Sequence, residues 1–77
     1  MRAVPPFLLG GMNMVKLNGE QRELSGKTVT ELLNENGYDP KRVAVELNLE
    51  IVPKSQYDST ILKDGDSVEV VSFVGGG

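Results

Sequence analysis

No cysteine and no histidine occur anywhere in the 77 residues. Their absence removes thiolate nucleophiles, disulfides, imidazole bases and the usual zinc ligands together. No stretch approaches the ~18 apolar residues needed to cross a bilayer. The opening Met1 to Gly11, MRAVPPFLLGG, has one charge, two prolines and a short apolar run without a small-residue cleavage site, which makes a poor secretory signal. A soluble, cytoplasmic protein is expected. A chain this short has room for one domain, with one hydrophobic layer between a sheet and a helix, and none for a large catalytic cleft.

Basic charge is also scarce. The net charge is -3, and from Glu31 onward nine acids (Glu31, Glu35, Asp39, Glu46, Glu50, Asp58, Asp64, Asp66, Glu69) stand against four bases (Lys41, Arg42, Lys54, Lys63). Nucleic acids and anionic membrane surfaces reward clustered Lys and Arg, so neither is an expected partner. A basic protein partner fits this balance, and so does a set of acids that serves solubility alone.

The patterned region begins near Asn13. Met14 to Leu17 alternates, and Asn18-Gly19 is the dipeptide that most readily takes the positive φ angles of a two-residue hairpin turn. A second strand is expected over about Glu20 to Leu24. Thr28 followed by Glu31 forms a capping box, with Val29, Leu32 and Leu33 making the apolar face of the helix it starts. Gly37 is the expected stop, and Asp39-Pro40 forbids continuation. Val43 to Leu47 reads as a third strand, Asn48-Leu49-Glu50 as a turn and Ile51-Val52-Pro53 as a short edge strand. Lys54 to Leu62 has no clean period. It is expected to cross irregularly with one turn of 3₁₀ helix near Gln56 to Ser59, anchored by Tyr57, Ile61 and Leu62. Asp64-Gly65-Asp66 is a tight turn, and Ser67 to Val74 the last strand.

This order is α+β: hairpin, helix, strand, short edge strand, crossing, strand. It places the first and last strands side by side in the middle of a mixed sheet of four to five strands, with the helix across one face. That is the β-grasp, or ubiquitin-like, arrangement. The expected organisation is an upstream segment over 1–11 that is either a disordered extension or a non-native remnant, a β-grasp domain over 12–74, and a flexible glycine tail over 75–77.

The tail, Gly75-Gly76-Gly77, is the group expected to work. Glycines enter a channel too narrow for other residues, and three extended residues reach roughly 10 Å at ~3.3 Å each. A terminal carboxylate with a pKa of about 3.5 is ionised at neutral pH and is a poor electrophile. A partner enzyme must activate it, and adenylation with ATP supplies the leaving group. The carrier itself then needs no acid, base or metal ligand. Ordering three glycines costs on the order of 3 to 6 kcal/mol, so another surface must hold the partner. Val68, Val70, Ser72 and Val74 share one face of the last strand, while Glu69, Val71 and Phe73 share the other. With the first set under the helix, Val71 and Phe73 stand on the open face beside the tail as an exposed apolar contact site. Asp64 and Asp66 are explained by their turn, and Gly10-Gly11 and Gly19 precede no helix and so make no phosphate loop.

Across nearly all of Met14 to Gly77 the chain resembles the ThiS family of sulfur carriers. The resemblance is carried by Leu17-Asn18-Gly19-Glu20, Gly26-Lys27-Thr28-Val29 with Glu31-Leu32-Leu33, and Val43-Ala44-Val45 followed by Asn48. Ile51-Val52-Pro53, Asp64-Gly65-Asp66, Val68-Glu69-Val70-Val71 and the terminal Gly76-Gly77 complete it. No single piece is specific, but their order and spacing are. The resemblance implies that a ThiF-type enzyme adenylates the Gly77 carboxylate with ATP. Sulfur from a sulfur-donating enzyme, drawn ultimately from cysteine, then converts it to a thiocarboxylate that is presented to thiazole synthase. It implies a carrier that binds no cofactor, is no enzyme and is a monomer alone. Gly75 lengthens the tail beyond the family's glycine pair, and Met1 to Gly11 has no counterpart. A MoaD-like carrier of molybdopterin synthesis, a protein-conjugating modifier and an RNA-binding module of the TGS kind remain as alternatives. The acidic second half speaks against the last.

Overall fold

The computed structural model describes residues 14–73. Its elements are β1 (Met14–Leu17), β2 (Glu20–Glu23), helix α1 (Val29–Glu35), β3 (Val43–Leu47), β4 (Glu50–Ile51) and β5 (Ser67–Ser72), with 3₁₀ turns at Pro40–Arg42 and Lys54–Gln56. The five strands form one mixed sheet in the order β2-β1-β5-β3-β4. β1 and β5 run parallel at its centre, with Leu17 beside Val68, and the neighbouring pairs are antiparallel. This is the β-grasp arrangement expected from the order of the elements.

The helix forms where its cap says it should. The Glu31 amide donates to Thr28 Oγ1 at 3.1 Å and the Thr28 amide donates to Glu31 Oε1 at 2.9 Å, so two first-turn donors are satisfied reciprocally. Val29, Leu32 and Leu33 face the sheet and close over Val15, Val43, Val45 and Val68, all of them buried. No buried side-chain nitrogen or oxygen among the described residues lacks a hydrogen-bond partner, so the core is an apolar layer with its polar groups paired.

Two asparagines hold β5 from either side. Asn18-Gly19, at φ 50° and 87°, makes the β1–β2 turn. From there Asn18 Oδ1 accepts the Val70 amide at 2.8 Å while the Asn18 amide donates to the Val68 carbonyl at 2.8 Å. The side chain thus continues the β1–β5 ladder past the end of β1. Asn48-Leu49, at φ 52° and 71°, makes the β3–β4 turn. Asn48 Oδ1 accepts the Ser67 amide at 2.9 Å and Nδ2 donates to Asp66 Oδ1 at 3.0 Å.

Several local expectations are corrected. The β3–β4 turn is Asn48-Leu49 alone, because Glu50 already pairs with Leu47. The edge strand is therefore Glu50–Ile51 rather than Ile51 to Pro53. Val52 keeps one ladder-like bond, from its amide to the Val45 carbonyl at 2.9 Å, and Pro53 opens the next 3₁₀ turn instead. That turn spans Lys54–Gln56, not Gln56 to Ser59. Tyr57 and Leu62 are buried anchors as expected, but Ile61 is 56% exposed because its backbone bridges to Thr28 and turns the side chain outward. The 3₁₀ turn at Pro40–Arg42 is an addition. Asp39 caps it by accepting the Lys41 amide at 2.9 Å. β2 stops at Glu23, one residue early, and Leu24 turns into the core. β5 ends at Ser72, which is exposed rather than tucked under the helix.

Candidate functional site

β5 brings the expected contact residues to the open face of the sheet. The alternation along it is clean: Val68 and Val70 are buried under the helix, and Glu69 and Val71 face out. Val71 is 58% and Phe73 54% exposed. Phe73 lies just past the strand, yet its amide still donates to the Arg42 carbonyl at 2.8 Å. The β3–β5 pairing is therefore carried one residue beyond the strand end, and the Phe73 backbone stays tied to β3. The three tail glycines, Gly75, Gly76 and Gly77, and Val74 with them, lie outside the described residues, as does the whole of the 1–11 extension and the domain's opening Met12 and Asn13.

Several of the other polar side chains are taken up by structure. Lys54 Nζ donates to the carbonyls of Pro40, at 3.0 Å, and Val43, at 2.8 Å, and sits 5.6 Å from the centre of the Tyr57 ring. It fastens the second 3₁₀ turn to the start of β3. Burial pushes the Tyr57 hydroxyl above the usual phenol value. Lys27, joined to Glu35 at 2.7 Å, is held above the usual lysine value chiefly by that hydrogen bond. Asp64 accepts from the Ser25 hydroxyl, and Asp66 accepts the Lys63 amide at 2.8 Å. Both acids are turn-makers, as their spacing around Gly65 suggests. A depression of about 180 Å³ beside β4 is lined by Leu47, Ile51, Val52 and Pro53 among others, and opens to solvent. Among the described residues, no helix is long and apolar enough to cross a membrane.

What distinguishes this surface is its position. A central strand, buried on one face, carries an apolar pair on the other and is followed in the sequence by Val74 and a run of glycines.

Comparison with known proteins fits that geometry. The ThiS family model matches residues 15–77, from the second residue of β1 through the last glycine.

The chain belongs to the ThiS family.

It is 50% identical over 64 residues to the sulfur carrier protein ThiS of Thermus thermophilus, a match spanning 83% of this chain and 100% of that protein. It is also 55% identical over 62 residues to a thiazole synthase of Paramagnetospirillum magneticum, covering 79% of this chain but 19% of that protein. The chain thus spans about a fifth of that synthase and the whole of the Thermus carrier. Among solved structures, the thiamine biosynthesis protein ThiS of Geobacter metallireducens superposes with a TM-score of 0.68 at 38% identity, covering 83% of this chain and 99% of that one. The family's fold is therefore the one described above.

Sequence reasoning missed two exposed residues. Ile51 is 74% exposed on β4 and Leu49 is 85% exposed at the β3–β4 turn. The signal for Ile51 was the register: once Glu50 pairs with Leu47, Ile51 must share the open face with Glu46. A strand placed one residue later hides this.

Proposed function

We propose that this protein is the sulfur carrier of thiazole formation in thiamine biosynthesis and that Gly77 is its working residue. An ATP-dependent, ThiF-type enzyme receives the tail. A Gly77 carboxylate oxygen bonds to the α-phosphorus of ATP, pyrophosphate leaves, and hydrosulfide released by the sulfur donor attacks the acyl carbon of the resulting adenylate, so that a C–S bond replaces the C–O bond to AMP, AMP leaves and a proton is lost to give the thiocarboxylate. The thiocarboxylate is then presented to thiazole synthase. In this reading the protein is a co-substrate that contributes no acid, base or bound cofactor. Gly75 and Gly76 pass through the enzyme's channel, and Val71 and Phe73 supply the grip that offsets the ordering of the tail.

The observation that carries this reading is the exposed Val71–Phe73 pair at the outgoing end of a central strand, within a family match that extends to residue 77. The similarity to a stretch of a protein named thiazole synthase supports the thiamine pathway over molybdopterin synthesis, because there a carrier-like segment and a synthase share one polypeptide. Gly76→Ala tests the channel. One methyl group adds little bulk but disfavours positive φ and crowds a narrow passage. ATP–pyrophosphate exchange with a ThiF-type enzyme should fall severely while the thermal unfolding of the variant matches the parent. Exchange at the parent rate would exclude the tail from the channel.

A further inference from the structure

The dipeptide Asn-Gly occurs twice, at Asn18-Gly19 and at Asn36-Gly37. It is the sequence most open to spontaneous deamidation, because glycine offers its backbone nitrogen to the preceding side-chain amide with no Cβ in the way. The two dipeptides are chemically alike, and the fold treats them differently.

Asn18 is locked into the centre of the sheet. Its Oδ1 accepts the Val70 amide at 2.8 Å, and its Nδ2 donates to the Val70 carbonyl at 3.4 Å and to the Tyr38 hydroxyl at 3.3 Å. Its own amide donates to the Val68 carbonyl at 2.8 Å. To fold back onto Gly19, the side chain must let go of β5 and part the seam between β1 and β5. An opening of that kind costs close to the whole stability of the domain. Asn36 stands instead at the end of a seven-residue helix, as its C-terminal cap. Its Nδ2 donates to the Leu32 carbonyl at 2.8 Å, and its Oδ1 accepts at 2.7 Å from Nη2 of Arg22, a side chain 44% exposed. The Gly37 amide reaches the Asn34 carbonyl only by a long bond of 3.3 Å. These contacts belong to the last turn of a helix, which frays without disturbing the sheet. Releasing them costs little.

We propose that Asn36-Gly37 is a modification site of the folded protein, where Asn36 deamidates spontaneously, and that the sheet protects Asn18-Gly19 from the same reaction. The Gly37 nitrogen loses its proton and bonds to Asn36 Cγ, the Cγ–Nδ2 bond breaks, and Nδ2 leaves as ammonia. Water then opens the succinimide. Cleavage of the new Cγ–N bond leaves aspartate, and cleavage of the bond from that nitrogen to the Asn36 carbonyl carbon leaves isoaspartate, whose chain continues through Cγ. Nothing is oxidised or reduced. Either product adds one negative charge to a chain whose net charge is -3. The aspartate keeps an oxygen beside the Arg22 guanidinium, as a charge-assisted pair. Both products lose the donor that held the Leu32 carbonyl, so the last turn of α1 loosens.

The test incubates the full chain in mildly alkaline buffer, folded and in unfolding urea, and follows each asparagine by peptide mass spectrometry. In the folded chain residue 36 should convert roughly tenfold or more faster than residue 18. In urea the two rates should draw level, because the local chemistry is the same. Asn36→Gln is the second variant. Its longer side chain has to close a larger ring, so the folded variant should stop accumulating the acidic species that ion exchange resolves from the parent, with its melting temperature unchanged. Should this variant unfold, the peptide map of the parent decides alone. Equal folded rates at the two sites, a faster Asn18, or acidic species forming from Asn36→Gln at the parent rate would overturn the assignment. A difference that persisted in urea would overturn it too, since sequence and not fold would then set the order.

Discussion

On the face of the sheet beneath the helix, Val15, Val45 and Val68 are fully closed to solvent, while on the opposite face of the same strands Val71, Glu69, Glu46 and Lys16 stand in or near water. The two faces differ by one residue step along each strand. The covered face has one residue type and one purpose: it is apolar throughout and its burial drives folding. The open face mixes apolar and charged residues in an order that folding does not use. A substitution on the first face should therefore unfold the domain, and one on the second should leave it folded and alter what it binds.

The largest effect is expected from Leu33→Ala, which removes a fully buried side chain where α1 meets the sheet. A loss of about 2–5 kcal/mol in urea unfolding is expected, a large part of the total stability of a domain this small. A loss under about 1 kcal/mol would mean that the helix is not what closes the covered face. Next comes Thr28→Ala, which deletes the hydroxyl half of the capping box and should lower stability by about 1 kcal/mol. Leu49→Gly should act in the other direction. A leucine at φ 71° occupies a region that glycine enters freely, so the change should raise stability by up to about 1 kcal/mol, and a fall would show that Leu49 packs in a way its exposure denies. The smallest effect on the fold is expected from Phe73→Glu, within about 0.5 kcal/mol of the parent, although binding to the adenylating enzyme should weaken clearly. A collapsed domain, or undiminished binding, would erase the contrast between the two faces.

The architecture was legible because its strongest signals are local and consistent: the Asn18-Gly19 turn, the Thr28–Glu31 capping box, the Leu32-Leu33 face and the Asp64-Gly65-Asp66 turn each have a short-range cause. The alternation of β5 likewise gave Val71 and Phe73 as outward-facing. What stayed hidden depends on distant partners. Asn48-Leu49 adopts the same positive-φ geometry as Asn18-Gly19, but its second residue is one that normally avoids it. The bonds from Asn48 to Ser67 and Asp66 hold the turn in place, and no local pattern announces them. The one-residue error there shifted β4 and concealed Ile51. Ile61 misled for a similar reason, since an apolar residue in an irregular segment has no period to say which way it points.

The central claim is that the helix-and-sheet domain is a handle and Gly77 the working part. Incubating the protein with a ThiF-type enzyme, ATP and a sulfur donor, followed by fragmentation mass spectrometry, tests it most directly. The expected result is the exchange of one oxygen for one sulfur, confined to Gly77 and absent from a chain lacking that residue. The truncated chain should still unfold like the parent, since a terminal residue without a side chain buries almost no apolar surface. A truncated chain that is adenylated and sulfurated as well as the full one, or a sulfur found elsewhere in the sequence, would contradict the account.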